Sequence, residues 1–257
     1  MTMITIKTEK EIRKLAYSGK ILSKILRHLF LESKPGVTTA QIDEIAERMI
    51  REVGGTPAFK NYQSSHNDPP FPSTICASIN NQLVHAPASP IKKLKSGDIF
   101  TIDIGMEYEG LYTDMAATIT IGKVPARVNK LIKVTKKSLE NAIKQVKPGN
   151  TVADISYAVQ SYAEKNGFAV VKELVGHGVG YAPHEEPMIP NFVAIHQPKI
   201  ELKPGMVLAI EPMLTDGTDR VKFLDDGWTV VTADGSMCAH FEHTVAVTEK
   251  GCQILTK

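Results

Sequence analysis

The sequence predicts an α+β domain of two similar halves facing each other about a pseudo-twofold axis. Three observations predict it. Helical and strand-like hydrophobic patterns follow one another in blocks along the chain. The turn Lys34-Pro35-Gly36-Val37-Thr38 returns as Lys147-Pro148-Gly149-Asn150-Thr151, at a lag of 113 residues, and Ala40, Ile42 and Gly54 find Ala153, Ile155 and Gly167 at that lag. The run from Leu94 to Asp103 returns as Leu202 to Glu211, at a lag of 108. Each half then reads helix, loop, turn, strand, with a carboxylate at the strand end. The repeat covers approximately 34–120 and 147–248 of a single domain, 1–257.

The elements follow in order. From Thr8 to about Leu31, apolar residues from Ile12 to Leu29 recur at helical spacing, and Thr8 and Glu11 have capping-box spacing. A second helix is predicted from about Thr39 to Val53, with Thr38 and Gln41 repeating that spacing and Gly54-Gly55 ending it. Residues 56–72, rich in proline, serine and asparagine, read as loop. Strands are expected at Ser73–Asn80, Asp98–Ile104 and Leu111–Ile121, the last two forming a hairpin with its break at Gly105–Gly110. Helices are expected at Ala126–Val146 and Val152–Asn166. Strand patterns return at Met206–Ile210, Trp228–Ala233 and Ala239–Thr248.

Composition excludes several classes. Apolar residues make up 42% and charged residues 23%, which excludes a disordered or collagen-like chain. A net charge of +2 creates no field that demands nucleic acid or a membrane surface. No apolar run reaches the roughly 20 residues of a bilayer span. The N-terminus lacks a signal-peptide pattern. Cys76, Cys238 and Cys252 are odd in number and far apart, so a reducing compartment is expected. The expectation is a cytoplasmic protein.

Five side chains stand where a core residue belongs. Asp103 interrupts Ile102 and Ile104, and strand alternation puts it with Thr101 on the face opposite those isoleucines. Asp114 lies within Tyr112–Ala117. Glu211 ends Val207–Ile210, just before Pro212. Glu242 sits between Phe241 and His243, and His177 between Gly176 and Gly178. One such carboxylate is usually a buried salt bridge, because an unpaired one is costly. Four of them, in runs where Arg and Lys are scarce, point to divalent cations as the compensating charge. Oxygen ligands with one imidazole suit a hard or borderline metal. The twofold repeat would bring Asp103 and Glu211 together at the centre.

Thr101-Ile102-Asp103-Ile104-Gly105, Thr113-Asp114-Met115-Ala116-Ala117-Thr118, Gly176-His177-Gly178-Val179-Gly180, Ala209-Ile210-Glu211-Pro212-Met213 and Phe241-Glu242-His243-Thr244-Val245 together resemble the motifs of methionine aminopeptidases, in particular the short bacterial type I enzymes. The resemblance runs over nearly the whole chain. It implies the pita-bread fold, two αβ halves around a strongly curved antiparallel sheet. It implies that Asp103, Asp114, His177, Glu211 and Glu242 hold two divalent ions (cobalt, manganese, iron or zinc). Asp114 and Glu242 would bridge them, Asp103 would hold one, and His177 and Glu211 the other. It implies hydrolysis by a hydroxide the ions activate, with Glu211 moving protons.

His85 and His184 match positions that contact the substrate amide and its carbonyl oxygen, where a neutral imidazole can donate or accept. Tyr62, Phe71, Cys76 and Trp228 match positions lining the methionine slot, where a thioether packs well on rings and sulfur. The implied activity is co-translational removal of the initiator methionine before a small second residue. The partners implied are nascent polypeptide N-termini, with no DNA and no membrane, acted on by a monomer. His28, His66, His196 and His240 are expected to be ordinary surface histidines.

Three places depart from the family's pattern. Gln63–Pro70 lengthens the link between Tyr62 and Phe71, Ala86-Pro87-Ala88 follows His85, and Pro183 precedes His184. All are expected at the pocket rim. Lys130, Lys133, Lys136 and Lys137 give the third helix a basic side, expected to be a solvated face and, as a weaker alternative, a ribosome contact. Rival functions are an Xaa-Pro peptidase of the same fold and a non-catalytic binding module of that fold. Against the first, only 102 residues precede Asp103, too few for the usual extra domain. Against the second, all five ligand positions are intact. The 31-residue spacing of Glu211 and Glu242 leaves no room for the helical insertion of a type II enzyme. Gly176-x-Gly178-x-Gly180 lacks the spacing of a dinucleotide loop.

Overall fold

The computed structural model describes residues 4–63, 69–194 and 199–257. Two helices open the chain, α1 (Glu9–Glu32) and α2 (Thr39–Glu52). There follow β1 (Thr56–Pro57), β2 (Ile75–Ile79), β3 (Gln82–Val84), β4 (Ile99–Tyr108) and β5 (Leu111–Thr120), then α3 (Ala126–Ile143) and α4 (Val152–Lys165). The rest is strand: β6 (Ala169–Val170), β7 (Gly176–Gly178), β8 (Glu185–Ile189), β9 (Val207–Ile210), β10 (Met213–Thr215), β11 (Val221–Phe223), β12 (Val230–Thr232), β13 (Cys238–His240), β14 (His243–Thr248) and β15 (Gly251–Ile254).

The helices start where side chains satisfy free backbone groups. Thr8 N donates to Glu11 Oε2 at 2.7 Å, and Thr38 N to Gln41 Oε1 at 2.9 Å, each with the reciprocal bond of a capping box. Leu22, Ile25 and Leu29 of α1 and Ile42 and Ile50 of α2 pack on Ile75, Ile102 and Ile104 of β2 and β4. Ile143, Ile155 and Val159 of α3 and α4 do the same on Leu208, Val245 and Val247 of β9 and β14. Burial of one such side chain stabilises by roughly 1.5–3 kcal/mol. The two halves also repeat a contact: Thr38 bridges Lys93, and Thr151 bridges Glu201.

Among the described residues all strand pairs are antiparallel, in four hydrogen-bonded sheets. In the first half β4 pairs β5 on one side and β2 and β1 on the other. In the second the order is β15-β14-β9-β7-β8. The halves are stitched along β5. Thr244 Oγ1 accepts from Asp114 N at 2.9 Å, Glu242 N donates to Ala116 O at 2.8 Å, and Thr118 Oγ1 donates to His240 O at 2.9 Å. Smaller sheets, β13-β10-β6 and β11-β12-β3, close the flank. Among the described residues, no helix is long and apolar enough to cross a membrane.

Several boundaries differ from the sequence expectation. The hairpin does not break at Gly105; β4 runs on to Tyr108 and the chain turns at Glu109-Gly110, both at positive φ. Gly105 is glycine for a different reason. A Cβ there would lie 2.8 Å from the Phe59 ring and 2.9 Å from Ala58 Cβ. The loop 56–72 contains β1, which pairs with Glu107 and Met106. The expected strand Ala239–Thr248 is two strands in different sheets, with the switch at Phe241-Glu242. A matching switch occurs at Glu211-Pro212, between β9 and β10, where proline supplies no N–H for the ladder. Several strands of only two to five residues, among them β3, β6, β7 and β8, carry too little alternation to be read in advance.

Candidate metal centre

Five elements deliver side chains to one floor between the halves. β4 brings Asp103, β5 Asp114 and β7 His177; the two sheet switches bring Glu211 and Glu242. Asp103, Asp114 and Glu242 are 8%, 5% and 2% exposed. Ligand atoms of Asp114, His177 and Glu242 all lie within 4.8 Å of one another. Asp103 sits opposite Ala116 on β5 and, across β2, opposite Cys76. No lysine or arginine pairs with these acids among the described ion pairs.

Burial is the largest force on their protonation. It pushes Asp114 up to about 7, against the hydrogen bonds from Asp103 and Met115 N that favour its anion. Asp103 and Glu242 are held well above the carboxylate range by burial and then by Asp114; Glu211 follows for the same two reasons. Asp103 Oδ1, Asp114 Oδ1 and Glu242 Oε1 are buried without a hydrogen-bond partner among the described residues. Buried carboxyl oxygens left without partners are what a bound cation would satisfy. The donor set, carboxylate oxygens with an imidazole, fits a hard or borderline divalent ion. Cys76 adds no thiolate, since burial and then Asp103 raise its pKa well above normal.

His177 is prepared as a neutral donor. Burial lowers its pKa to about 3. Its Nδ1 lies 2.8 Å from Gly178 O, a pure acceptor, so Nδ1 carries the proton and Nε2 presents its lone pair. Nε2 faces Glu211 Oε1 at 3.5 Å. The flanking glycines let neighbouring strands close in. A Cβ at Gly176 would meet Ala209 O of β9, and one at Gly178 would meet Glu186 O of β8.

Above this floor is a cavity of about 450 Å³. Its lining includes the five side chains read as metal ligands, Asp103, Asp114, His177, Glu211 and Glu242, and the six read as substrate contacts, His85, His184, Tyr62, Phe71, Cys76 and Trp228. His184 Nδ1 is 2.9 Å from Tyr62 Oη, and its ring is 4.5 Å from that of His177. His85 sits in the left-handed region at φ 56, a conformation costly for a non-glycine residue, and burial lowers its pKa to about 4. Phe71 meets Trp228 edge-on at 5.2 Å. Phe71 N donates to Tyr62 O, and Asn61 N to Phe71 O, both at 2.8 Å, which pins the ends of the long link together.

Some expectations need correction. His240 is no surface residue: it is 1% exposed, with Nε2 3.4 Å from Glu211 Oε2 and neither ring nitrogen hydrogen-bonded among the described residues. A signal for it existed, since residues 240 and 242 share a face if the strand alternation is continued. Ala86, Pro87, Ala88 and Pro183 are absent from the lining of the main cavity. Ala86 is fully buried, and Pro87 and Ala88 border a neighbouring depression across Trp228. The chain leaves His85 with Ala86 O accepting from Ala77 N and Pro87 bridging Cys76, which runs these residues along the edge of β2. His28 is half-buried on α1. His66, His196 and most of Gln63–Pro70 lie outside the described residues. Phe59, Leu174, Phe223 and Gly227 also line the cavity and carried no sequence signal.

Residues 13–249 match the profile of metallopeptidase family M24. A relative from Bacillus subtilis (strain 168), named methionine aminopeptidase 1, is 45% identical over 99% of this chain and 100% of its own length. The crystal structure of methionine aminopeptidase from Thermotoga maritima superposes with a TM-score of 0.93 at 42% identity, covering 99% of this chain and 100% of that one. The prolidase from Pyrococcus furiosus superposes at 0.77 with 24% identity, covering 98% of this chain and 65% of that one, a likeness of fold alone.

Proposed function

Since the chain belongs to metallopeptidase family M24, we propose that it hydrolyses the N-terminal methionine from nascent proteins whose second residue is small. One observation carries the reading: three partnerless carboxylate oxygens at the floor of a slot walled by Tyr62, Phe71, Cys76 and Trp228. The floor suits metal, and the slot suits an unbranched thioether.

Asp103, Asp114, His177, Glu211 and Glu242 would hold two divalent ions, of the cobalt, manganese, iron or zinc type. When bound, such ions supply Lewis-acid charge and make water acidic enough to act as a nucleophile near neutral pH. The chain's own groups do the rest. Glu211, between the imidazoles of His177 and His240, takes a proton at its carboxylate and returns it to the leaving amine. Tyr62 keeps its phenolic proton, because burial raises its pKa, and can donate it to His184 Nδ1. His184 Nε2 then carries a hydrogen and donates to the carbonyl oxygen as charge develops there. His85, neutral and locked by its backbone, takes the substrate amide. Ring and sulfur walls exclude water from the methionine side chain.

The same reading makes the whole chain one catalytic unit of two related halves, working as a cytoplasmic monomer on emerging chains. Lys130, Lys133 and Lys136 are exposed along α3 and offer a weak ribosome contact. Alanine at these and at Lys137 should lower ribosome co-sedimentation at low salt; unchanged sedimentation removes that contact.

The decisive test is metal-reconstituted cleavage of Met-Thr and Ala-Pro peptides, free and N-acetylated. Free Met-Thr should be cut and the acetylated form spared. Cleavage of Ala-Pro with Met-Thr untouched assigns the prolidase-type activity instead.

A further inference from the structure

Lys7 is a buried cation far from the metal floor in sequence, and its contacts lead to His184. Its side chain is 1% exposed and its Nζ lies 2.6 Å from Glu185 Oε2, itself on a side chain only 8% exposed. Thr5 Oγ1 donates to the same oxygen. The other oxygen, Oε1, accepts from Tyr181 N and, at 3.0 Å, from Ala182 N. Glu185 therefore closes the turn Tyr181–Glu185 on itself, and Lys7 and Thr5 fasten that carboxylate from outside. His184 is carried on this turn.

The arrangement is specific to a lysine at this place. Lys7 N donates to Gly205 O at 2.8 Å, which seats the segment beside β9. The lysine stem then passes over Gly180, where a Cβ would collide with the methylene next to the ammonium. On the far side of the turn, His184 Nδ1 meets Tyr62 Oη. A continuous chain of contacts thus runs from the N-terminal segment through Glu185 and His184 to the slot.

We propose that Lys7 is a positioning residue that, through Glu185, holds the His184 turn in the geometry that contacts substrate. The proposal rests on the reading of His184 as a substrate-contacting group. Lys7 touches neither the metal floor nor the cavity. Its loss leaves Glu185 with a buried, uncompensated charge, and the turn relaxes to rehydrate it. A displacement near 1 Å at a contacting group costs about a hundredfold in rate.

The test is a double-mutant cycle on the full chain, reconstituted with manganese and assayed on Met-Ala-Ser, with Lys7→Met, His184→Ala and both together. Lys7→Met should lower kcat about ten- to a hundredfold, leave KM within about threefold, and leave manganese affinity by calorimetry unchanged. In the His184→Ala background, Lys7→Met should cost less than about threefold, because the group it positions is gone. Lys7→Arg, which keeps the charge, should recover part of the loss. A fully additive double mutant overturns the proposal, as does a Lys7→Met enzyme of wild-type kcat. If His184→Ala alone has no effect, the role of His184 fails and the inference with it, and the two failures are told apart by that single arm. Should Lys7→Met lose its cooperative melt, Lys7→Gln is measured in its place; collapse of both makes Lys7 a folding residue and overturns the assignment.

Discussion

Asp114→Asn should stabilise the metal-free protein at alkaline pH while abolishing its response to divalent metal. Asp114 is 5% exposed, has one oxygen without a partner, and is held near 7 against an ordinary value of 3.8. The sign follows from proton counts. Between 3.8 and about 7 the folded chain keeps a proton on Asp114 that the unfolded chain has lost. Stability of the metal-free protein therefore falls as pH rises through that window. A gap of about three units, at ~1.4 kcal/mol each, bounds the penalty near 4 kcal/mol. Asparagine removes the charge but offers Met115 N a neutral carbonyl, a weaker acceptor than the anion, so a net gain of about 2 kcal/mol is expected at pH 8. For a chain of this size that is roughly 4–8 °C in melting temperature. The assay is thermal melting in chelator at pH 5 and pH 8. The variant should melt above wild type at pH 8 and lose that lead at pH 5. Manganese at about 100 times its dissociation constant should then stabilise wild type by ~2.7 kcal/mol and leave the variant unmoved. Parallel pH profiles for the two proteins in chelator refute the account of a strained, cation-seeking carboxylate floor.

Further outcomes follow from the same geometry. Glu211→Gln should keep the melting temperature of the metal-free protein or raise it, and lower kcat by about 10²–10⁴ if Glu211 moves the proton; turnover near wild type excludes that role. His240→Ala should lower kcat about tenfold, because it removes the buried imidazole 3.4 Å from Glu211 Oε2, with His240→Gln restoring part of the loss; equal losses in both variants point to packing alone. Gly178→Ala should destabilise by about 2–4 kcal/mol, because its Cβ would meet the Glu186 carbonyl of β8, and a melt within 1 °C of wild type contradicts the close approach.

Much of the molecule was legible because its local rules are short-range. Thr8, Thr38 and their partners three residues on mark where α1 and α2 begin, and the apolar spacing of both helices reports the face they bury. Asp103, Asp114, Glu211 and Glu242 were visible because ionisable groups do not interrupt apolar strands without a compensating charge. Phe223 was not visible, and His240 offered only the strand face it shares with Glu242. Nothing near them in the chain says that β13 ends beside Glu211 or that β11 folds against the slot. Gly105 and the split at Phe241-Glu242 misled for the same reason: a glycine needed for a passing ring looks like a turn, and a sheet switch looks like one long strand.

The sequence by itself determined the helix boundaries, the acids that interrupt apolar strands, and the repeat that relates Asp103 to Glu211, because each depends on neighbours within a few residues or on chain-long symmetry. Only the tertiary structure decided that Thr244 and Thr118 stitch the halves along β5, that His177 presents Nε2, and that Lys7 reaches the turn bearing His184. The longest of those contacts joins residues 178 positions apart. Their strength depends on burial and direction, which exist only once the chain has closed on itself.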